Sequence, residues 1–509
     1  MSLGFVIDNR RCIGCHACTV ACKAEHEISV GNFRTWVKYV EKGAFPNVRR
    51  HFTVLRCNHC GDAPCVNICP TGALFHRPEG IVDFDRRQCI ACRACMAACP
   101  YDAIYIDPQT ETAAKCNYCA HKVALGLEPA CVTICPANAI ISGDIASPET
   151  EISRLISLEK TTVRRPEKDT QPKVHYVEGE MNSLVPGAAP HAAFYLWAER
   201  VQIEDRIRDS EPSPAANTAT TVYDVSHRKP WGKLVSMYLW TKSLSTGAIL
   251  VPAFLSLLGL VRAPDLFGRF APIFALIFGF LTTLFLVGDL DRPERFLKIL
   301  YRPNARSWLF WGSYILLLYS GIVFLWAAAG ILERPMVIQV LLWPGLALAV
   351  LAAGYSGFLL AQARGRDLWQ SRLLFPHLIV QAFLAGSAVL VLASLYRDSG
   401  RAVTDLLLRC LLGSLCVHGI FLLSEIGMPH GTRDATDAVR YMVQGPLTRL
   451  FWIGAVLAGI AVPIYQLAYH FSNDSSGIIA PASASVLALL GLLAYEDCFI
   501  RAGQALPLS

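Results

Sequence analysis

Sixteen of the nineteen cysteines in this 509-residue chain fall between Cys12 and Cys135. They form four quartets: Cys12, Cys15, Cys18 and Cys22; Cys57, Cys60, Cys65 and Cys69; Cys89, Cys92, Cys95 and Cys99; Cys116, Cys119, Cys131 and Cys135. A disulfide framework scatters its cysteines to staple distant loops, whereas short repeated gaps bring several sulfurs within reach of one bound group. The N-terminal part of the chain must therefore fold around metal.

The first and third quartets have the C-x2-C-x2-C-x3-C spacing of bacterial ferredoxins. A proline follows the last cysteine in three quartets (Pro70, Pro100, Pro136), where it ends the turn and aims that sulfur at a neighbouring cluster. A structural zinc site is the alternative, but it needs only two cysteine pairs and leaves the third cysteine and the proline without a role. The segment Thr71 to Arg87 alternates like a hairpin, with Pro78-Glu79-Gly80 at its turn. That joins quartets two and three into one two-cluster unit and leaves one and four for the other. Cys22 would then complete the fourth quartet's site and Cys135 the first's; pairing in chain order is the alternative. With cysteine at every position, four 4Fe-4S clusters are expected rather than a three-iron centre. Residues 1–185 are thus expected to be an α+β ferredoxin-like head of two two-cluster ferredoxin units. Met1 to Arg11 is too short for a secretory leader ahead of Cys12, so the expectation is that the head takes up its metal in the cytoplasm.

Overall, 53% of the residues are hydrophobic and 17% charged, an average over two unlike parts. The net charge of +6 lies mostly in the head and in short loops, with no basic stretch interleaved with aromatics, so nucleic-acid binding is excluded. Residues 186–230 read as a Pro- and Ala-rich linker with one aromatic patch, Ala193 to Trp197, following a segment from 145 laid along the head. From 231 to 500 come eight apolar runs, near Leu234–Val261, Phe270–Leu290, Trp308–Leu332, Val337–Gln362, Phe375–Tyr396, Thr404–Ile426, Thr448–His470 and Gly477–Tyr495. Each is long enough for the roughly 30 Å hydrocarbon core, and Trp308, Trp311, Trp369 and Trp452 lie near their ends. The expected body is an all-α polytopic membrane domain of eight transmembrane helices. Loops on the head's side carry ten Lys or Arg, between Arg292 and Arg306, between Arg364 and Arg372, and at Arg433 and Arg440. The opposite loops carry five, Arg262, Arg269, Arg334, Arg397 and Arg401. The excess places the head on the cytoplasmic side of the membrane.

An ionisable side chain inside a span is costly unless paired or functional. Tyr238 and Lys242 open the first span, Asp289 ends the second, Gln362 ends the fourth, His377 and Gln381 open the fifth, and His418 and Glu425 come late in the sixth. Alternating helix direction puts all of them in the half of the membrane on the head's side. That asymmetry suits a quinone headgroup site, with Tyr238, Lys242, Gln362, His377 and Glu425 as binding residues. Glu425, His418, Lys242, Tyr238 and Asp289 are the candidates for relaying its two protons. Each has a bland reading too: Lys242 snorkelling to the interface, Asp289 pairing with Arg292, His377 as an interface residue. Haem is not expected, because His377, His418, His430 and His470 offer no obvious facing pair. Cys410, Cys416 and Cys498 lack ligand spacing and read as packing residues.

Both parts resemble known families. Cys57-x2-Cys60-x4-Cys65-x3-Cys69-Pro70, Cys116-Asn117-Tyr118-Cys119, Pro129-Ala130-Cys131-Val132-x2-Cys135-Pro136 and Ser142-Gly143-Asp144 are similar to the electron-transfer subunits of the polysulfide and dimethyl sulfoxide reductase type. The body resembles the NrfD-type membrane anchors. The matching stretches are Gly288-Asp289-Leu290-Asp291-Arg292-Pro293 with Arg295-Phe296, Tyr355 to Gln362, and Glu425 to His430 with Thr432, Asp434, Ala438 and Gly445-Pro446. The resemblance implies an electron-transfer and anchor subunit, quinone-reactive and without haem, in the bacterial or archaeal cytoplasmic membrane. Its partners would be a separate molybdopterin-containing catalytic subunit, membrane lipid and a pool of menaquinone or ubiquinone. A redox-driven proton-translocating module is the competing reading; it requires ionisable residues through both membrane halves.

Overall fold

The computed structural model describes all residues except 45, 192–218, 261–262, 398 and 474–476. The aromatic patch at 193–197 and the opposite-side Arg262 fall outside the described residues. The chain divides into two compact units, Met1–Pro230 with Pro507–Ser509, and Trp231–Leu506.

The first unit has eleven described strands: β1 (Leu3–Asp8), β2 (Thr35–Ala44), β3 (Asn47–Arg56), β4 (Leu74–His76), β5 (Val82–Phe84), β6 (Ile104–Asp107), β7 (Thr112–Lys115), β8 (Ile140–Asp144), β9 (Thr161–Thr162), β10 (Val174–Val177) and β11 (Thr220–Tyr223). Its short helices are α1 (Ala17–Glu25), α2 (Pro64–Ile68), α3 (Ala94–Ala98), α4 (Ala120–Val123), α5 (Ala130–Thr133), α6 (Glu151–Leu158) and α7 (Met181–Leu184). One sheet has the order β8-β1-β10-β9, with β1 antiparallel to β8 and parallel to β10. All six residues of β1 are buried, as expected of a strand covered on both faces. A second sheet, β11-β2-β3, is built on a hairpin of two ten-residue strands, running from Thr35 opposite Arg56 to Ala44 opposite Asn47.

The Thr71 to Arg87 segment forms the β4–β5 hairpin, and a second hairpin, β6–β7, follows the third quartet. Gly80 takes φ +78° at the first turn, a conformation that glycine adopts without a Cβ clash. Phe5, Ile7, Val37, Val54, Tyr118 and Tyr176 form the core between sheets and cysteine loops. The stretch read as linker contributes structure of its own. Strand β11 pairs with β2, and Thr221 Oγ1 donates to Ala189 O at 2.9 Å.

The second unit is helical: α8 (Lys233–Leu257), α9 (Pro264–Gly288), α10 (Trp308–Ile331), α11 (Pro335–Ala361), α12 (Leu374–Arg397), α13 (Arg401–Gly427), α14 (Arg433–Val443), α15 (Leu450–Ser472) and α16 (Ile479–Gly503). Among the described residues seven helices, α9 to α13, α15 and α16, are long and apolar enough to cross a membrane. Helix α8 is not among them although it has 25 residues, because Thr241, Lys242, Ser243, Ser245 and Thr246 dilute its apolar run. It is nevertheless largely buried, packing against α9, α11, α12 and α16. Small residues permit the closest approaches. A Cβ on Gly247 would lie 1.9 Å from Ala382 O, and one on Gly386 would lie 2.1 Å from Gly247 O. Large apolar side chains such as Phe280, Phe324, Trp343 and Leu423 point outward instead, where lipid would receive them. Helix α14 is short and amphipathic, with Thr432 Oγ1 accepting from Ala435 N at 3.2 Å as its N-cap.

Candidate functional site

The cysteine loops are shaped by backbone that most residues avoid. Gly14 and His16 in the first quartet, and Ala91 and Arg93 in the third, all take positive φ, between 57° and 70°. The same two steps after Cys12 and after Cys89 thus curl each loop around a common centre. Proximity then sorts the sixteen sulfurs. One cavity is lined by Cys69, Cys89, Cys92 and Cys95, with Pro70 beside them. Another is lined by Cys12, Cys15, Cys18 and Cys135, with Pro136. Cys22 lies within electrostatic range of Cys116 and Cys131, and Cys119 of the same two. Cys60 interacts with Cys57 and Cys99, and Cys65 with all three. The last cysteine of each quartet therefore joins three from another quartet.

None of the sixteen is in a disulfide. Burial pushes the thiol of Cys18 up to about 11 and that of Cys60 up to about 12, so these sulfurs ionise only against strong positive charge. Among the described residues no three His, Cys, Asp or Glu side chains converge on a single ion. Four sulfurs lining one shared cavity, as in the first two of these sets, fit the four thiolate ligands of a cubane. Backbone amides already face some of them, Ala91 and Ala113 toward Cys89 Sγ at 3.4 Å and Ala139 toward Cys135 Sγ at 3.3 Å. His26 Nε2 lies 3.3 Å from Cys119 Sγ. Burial, then the nearby Arg34 and His121, lower this imidazole to about 4.

In the helical unit the polar residues gather in two places. On α8, Lys242 is 1% exposed, and its Nζ donates to Ala353 O at 2.8 Å and Ser356 Oγ at 2.7 Å on α11. Tyr238 OH bonds Tyr355 OH, and lies 3.1 Å from Ser356 Oγ. Next to Lys242, Ser243 Oγ donates to Glu496 Oε1 at 3.5 Å, while the buried Glu496 Oε2 has no hydrogen-bond partner. Gln381 on α12 is likewise buried, with an unpartnered Oε1.

The second gathering joins α12, α13 and α16. His377 Nε2 lies 2.9 Å from His418 Nδ1, and Tyr495 OH donates to Glu425 Oε2 at 2.7 Å. The Tyr495 ring sits 5.3 Å from both imidazoles, and Phe421 stacks on His377. The expectation that no two histidines face each other is therefore corrected. His377 and His418 stand on adjacent helices and bond each other directly. Adjacent positions on α16, Tyr495 and Glu496, connect the two gatherings.

Gln362 belongs to neither. Its Oε1 accepts from Trp308 N at 2.8 Å and its Nε2 donates to Arg306 O at 2.6 Å, which ties the end of α11 to the start of α10. Asp289 is half-buried at the C-cap of α9. Sequence reasoning missed Glu496, Tyr495 and Ser356. Glu496 carried a readable signal, since α16 continues eight residues beyond the Tyr495 at which the apolar run was closed.

Clustered thiols in one unit and membrane-length helices with buried proton-bearing groups in the other define a class, the membrane-bound iron-sulfur electron-transfer proteins. The chain belongs to the polysulphide reductase NrfD family, whose pattern matches residues 221–507, and two 4Fe-4S dicluster domains match residues 11–74 and 48–145. It is a multi-pass membrane protein that fuses an iron-sulfur head to an NrfD module. Over the head it is similar to one subunit of the tetrathionate reductase of Salmonella typhimurium, 40% identical over 38% of this chain and 79% of the relative. It is 36% identical to one component of the polysulfide reductase of Wolinella succinogenes, over 36% of this chain and 96% of that relative. The thiosulfate reductase electron transfer subunit PhsB of Salmonella typhi is 45% identical over 29% of this chain and 78% of its own. The chain is thus an electron-transfer component of oxidoreductase complexes.

Proposed function

We propose that this chain passes electrons between a molybdopterin-containing catalytic subunit and the quinone pool, by way of four 4Fe-4S clusters. The supporting observation is the combination, in one chain, of four convergent four-cysteine sets with a membrane module whose buried acids and bases gather in two hydrogen-bonded groups. When bound, the clusters supply one-electron carriers; quinone chemistry needs two electrons and two protons. The chain's own part is to hold those protons. Lys242 and Glu496 flank one side of the α16 helix face and His377, His418 and Glu425 the other, within reach of Tyr238, Tyr355 and Tyr495. Gln362 remains a binding candidate and Asp289 a proton-relay candidate only as supports outside these two groups.

In this reading the head's two-cluster units pair quartets two with three and one with four. Helix α8, about 37 Å long at 1.5 Å per residue, is the first of eight spans, its polar residues tolerated because neighbouring helices enclose them. The domains are the head (1–185), the connecting segment (186–230) and the membrane module (231–500), with the head on the cytoplasmic side as the loop arginines favour. Cluster potentials span about −700 to +450 mV with their surroundings, so the same wire serves quinol-driven reduction or substrate-driven quinone reduction.

The test is Glu425→Gln in the full chain assembled with its catalytic partner. Quinol turnover should fall by about 10²-fold or more, as for loss of a proton-relaying group, with cluster spectra unchanged. Unaltered turnover would remove Glu425 from the quinone site.

A further inference from the structure

Two cations in the head are buried against cysteine sulfur with no carboxylate to balance them. Arg56, the last residue of β3, is fully buried. Its Nη1 donates to Cys131 Sγ at 3.3 Å and its Nη2 to Thr35 Oγ1 at 3.1 Å, and its guanidinium stands 4.3 Å over the Phe5 ring. Lys115, the last residue of β7, is equally buried. Its Nζ donates to Cys57 Sγ at 3.7 Å, to Cys116 O at 2.9 Å and to Val82 O. No Asp or Glu among the described residues pairs with either.

A buried charge persists only when it is paired, so the anion that balances each cation must be on the sulfur side. The two contacts fall on different sites. Arg56 touches the set Cys22, Cys116, Cys119 and Cys131, and Lys115 the set Cys57, Cys60, Cys65 and Cys99. These two sets are neighbours, since Cys57 interacts with Cys116. Arg56 also lies within electrostatic range of Cys18, in the set Cys12, Cys15, Cys18 and Cys135, whereas the set Cys69, Cys89, Cys92 and Cys95 touches neither Arg56 nor Lys115, and backbone amides of Ala91 and Ala113 face its Cys89.

Building on the four-cluster reading above, we infer that Arg56 and Lys115 are dedicated counter-charges that raise the reduction potentials of two adjacent clusters, making them the preferred resting places of an electron inside the head. Reduction adds one electron, and so one negative charge, to a cluster. A fixed positive charge a few ångströms away stabilises that state over the oxidised one, an effect strengthened by low local dielectric. No proton needs to move. Cluster surroundings set potential in general; here the structure assigns the effect to two named side chains and most strongly to the two sites whose sulfurs they touch.

The experiment is an EPR-monitored redox titration of the full chain in detergent, comparing wild type with Arg56→Gln, Lys115→Gln and the charge-keeping Arg56→Lys and Lys115→Arg. Wild-type iron content and spin count first establish four cubanes, and a shortfall there would defeat the four-cluster reading itself. Given four, each glutamine variant should make one cluster at least tenfold harder to reduce, equivalent to 59 mV for one electron. The affected cluster should differ between the two variants, and the lysine and arginine swaps should stay near wild type. Unshifted midpoints, or an equal shift of all four, would overturn the inference. If Arg56→Gln fails to load, Lys115→Gln decides; loss of iron from both would show an assembly role and overturn it as well.

Discussion

Lys242 and Glu496 are 1% and 2% exposed on packed helices α8 and α16, and the lysine's hydrogen bonds go to a carbonyl and a hydroxyl, not to the acid. Replacing Lys242 with Met removes the ammonium while keeping the stem's volume, and quinol turnover should drop by about 10²-fold with iron content unchanged; steady-state assays beside EPR would show it. Cysteine assignment is testable at the same scale. Cys135→Ser should abolish or alter only the cluster held with Cys12, Cys15 and Cys18, leaving three intact by EPR. Pairing in chain order would instead lose the cluster bound by the third or fourth quartet. The cysteines were legible because their spacing is itself the ligand geometry. Lys242, His377, His418 and Glu425 were legible because an ionisable group stands out in an apolar run. Their partners were not: Ser356, Tyr355 and Tyr495 cost little in any helix, and which of them meets a base depends on the rotation of neighbouring helices. Gln362 looked like a ligand for the same reason in reverse, since its helix-tying bonds to Arg306 and Trp308 are invisible in sequence.

At the scale of elements, one of the tightest constraints is the crossing of α8 and α12 at Gly247 and Gly386. Gly386→Val would drive a branched side chain into Gly247 backbone, so it should destabilise by about 1–3 kcal/mol or more, read as a lower unfolding temperature in detergent. A comparable drop is not expected for Gly413, which has open space around its Cβ position. An unchanged unfolding temperature for Gly386→Val would contradict the close helix crossing. The β4–β5 hairpin was readable from Pro78-Glu79-Gly80, because a turn is a local event. Strand β11 was not, since Thr220–Tyr223 becomes a strand only through its pairing with β2 far earlier in the chain. Helix ends moved for a similar reason: α16 runs on to Gly503 because Glu496 and Cys498 are enclosed by other helices, and apolarity alone ended it too soon.

Over the whole molecule, the arginine-rich loops predict which side of the membrane holds both ends of the chain. A fluorescent protein fused after Ser509 should glow and a phosphatase fused there should be inactive, as on the cytoplasmic side; the opposite pattern would reverse the orientation. The two halves were separable in sequence since metal-ligand spacing and bilayer-length apolar runs are each set by a single external partner. The proton-bearing groups between helices, by contrast, emerge only from packing. The most direct measurement is to reduce the loaded full chain without oxygen, mix it rapidly with a menaquinone or ubiquinone analogue, and follow the clusters by EPR. The account predicts that all four reoxidise, and more slowly in Glu425→Gln. Clusters that stay reduced in the presence of quinone, yet reoxidise with a soluble dye, would contradict it.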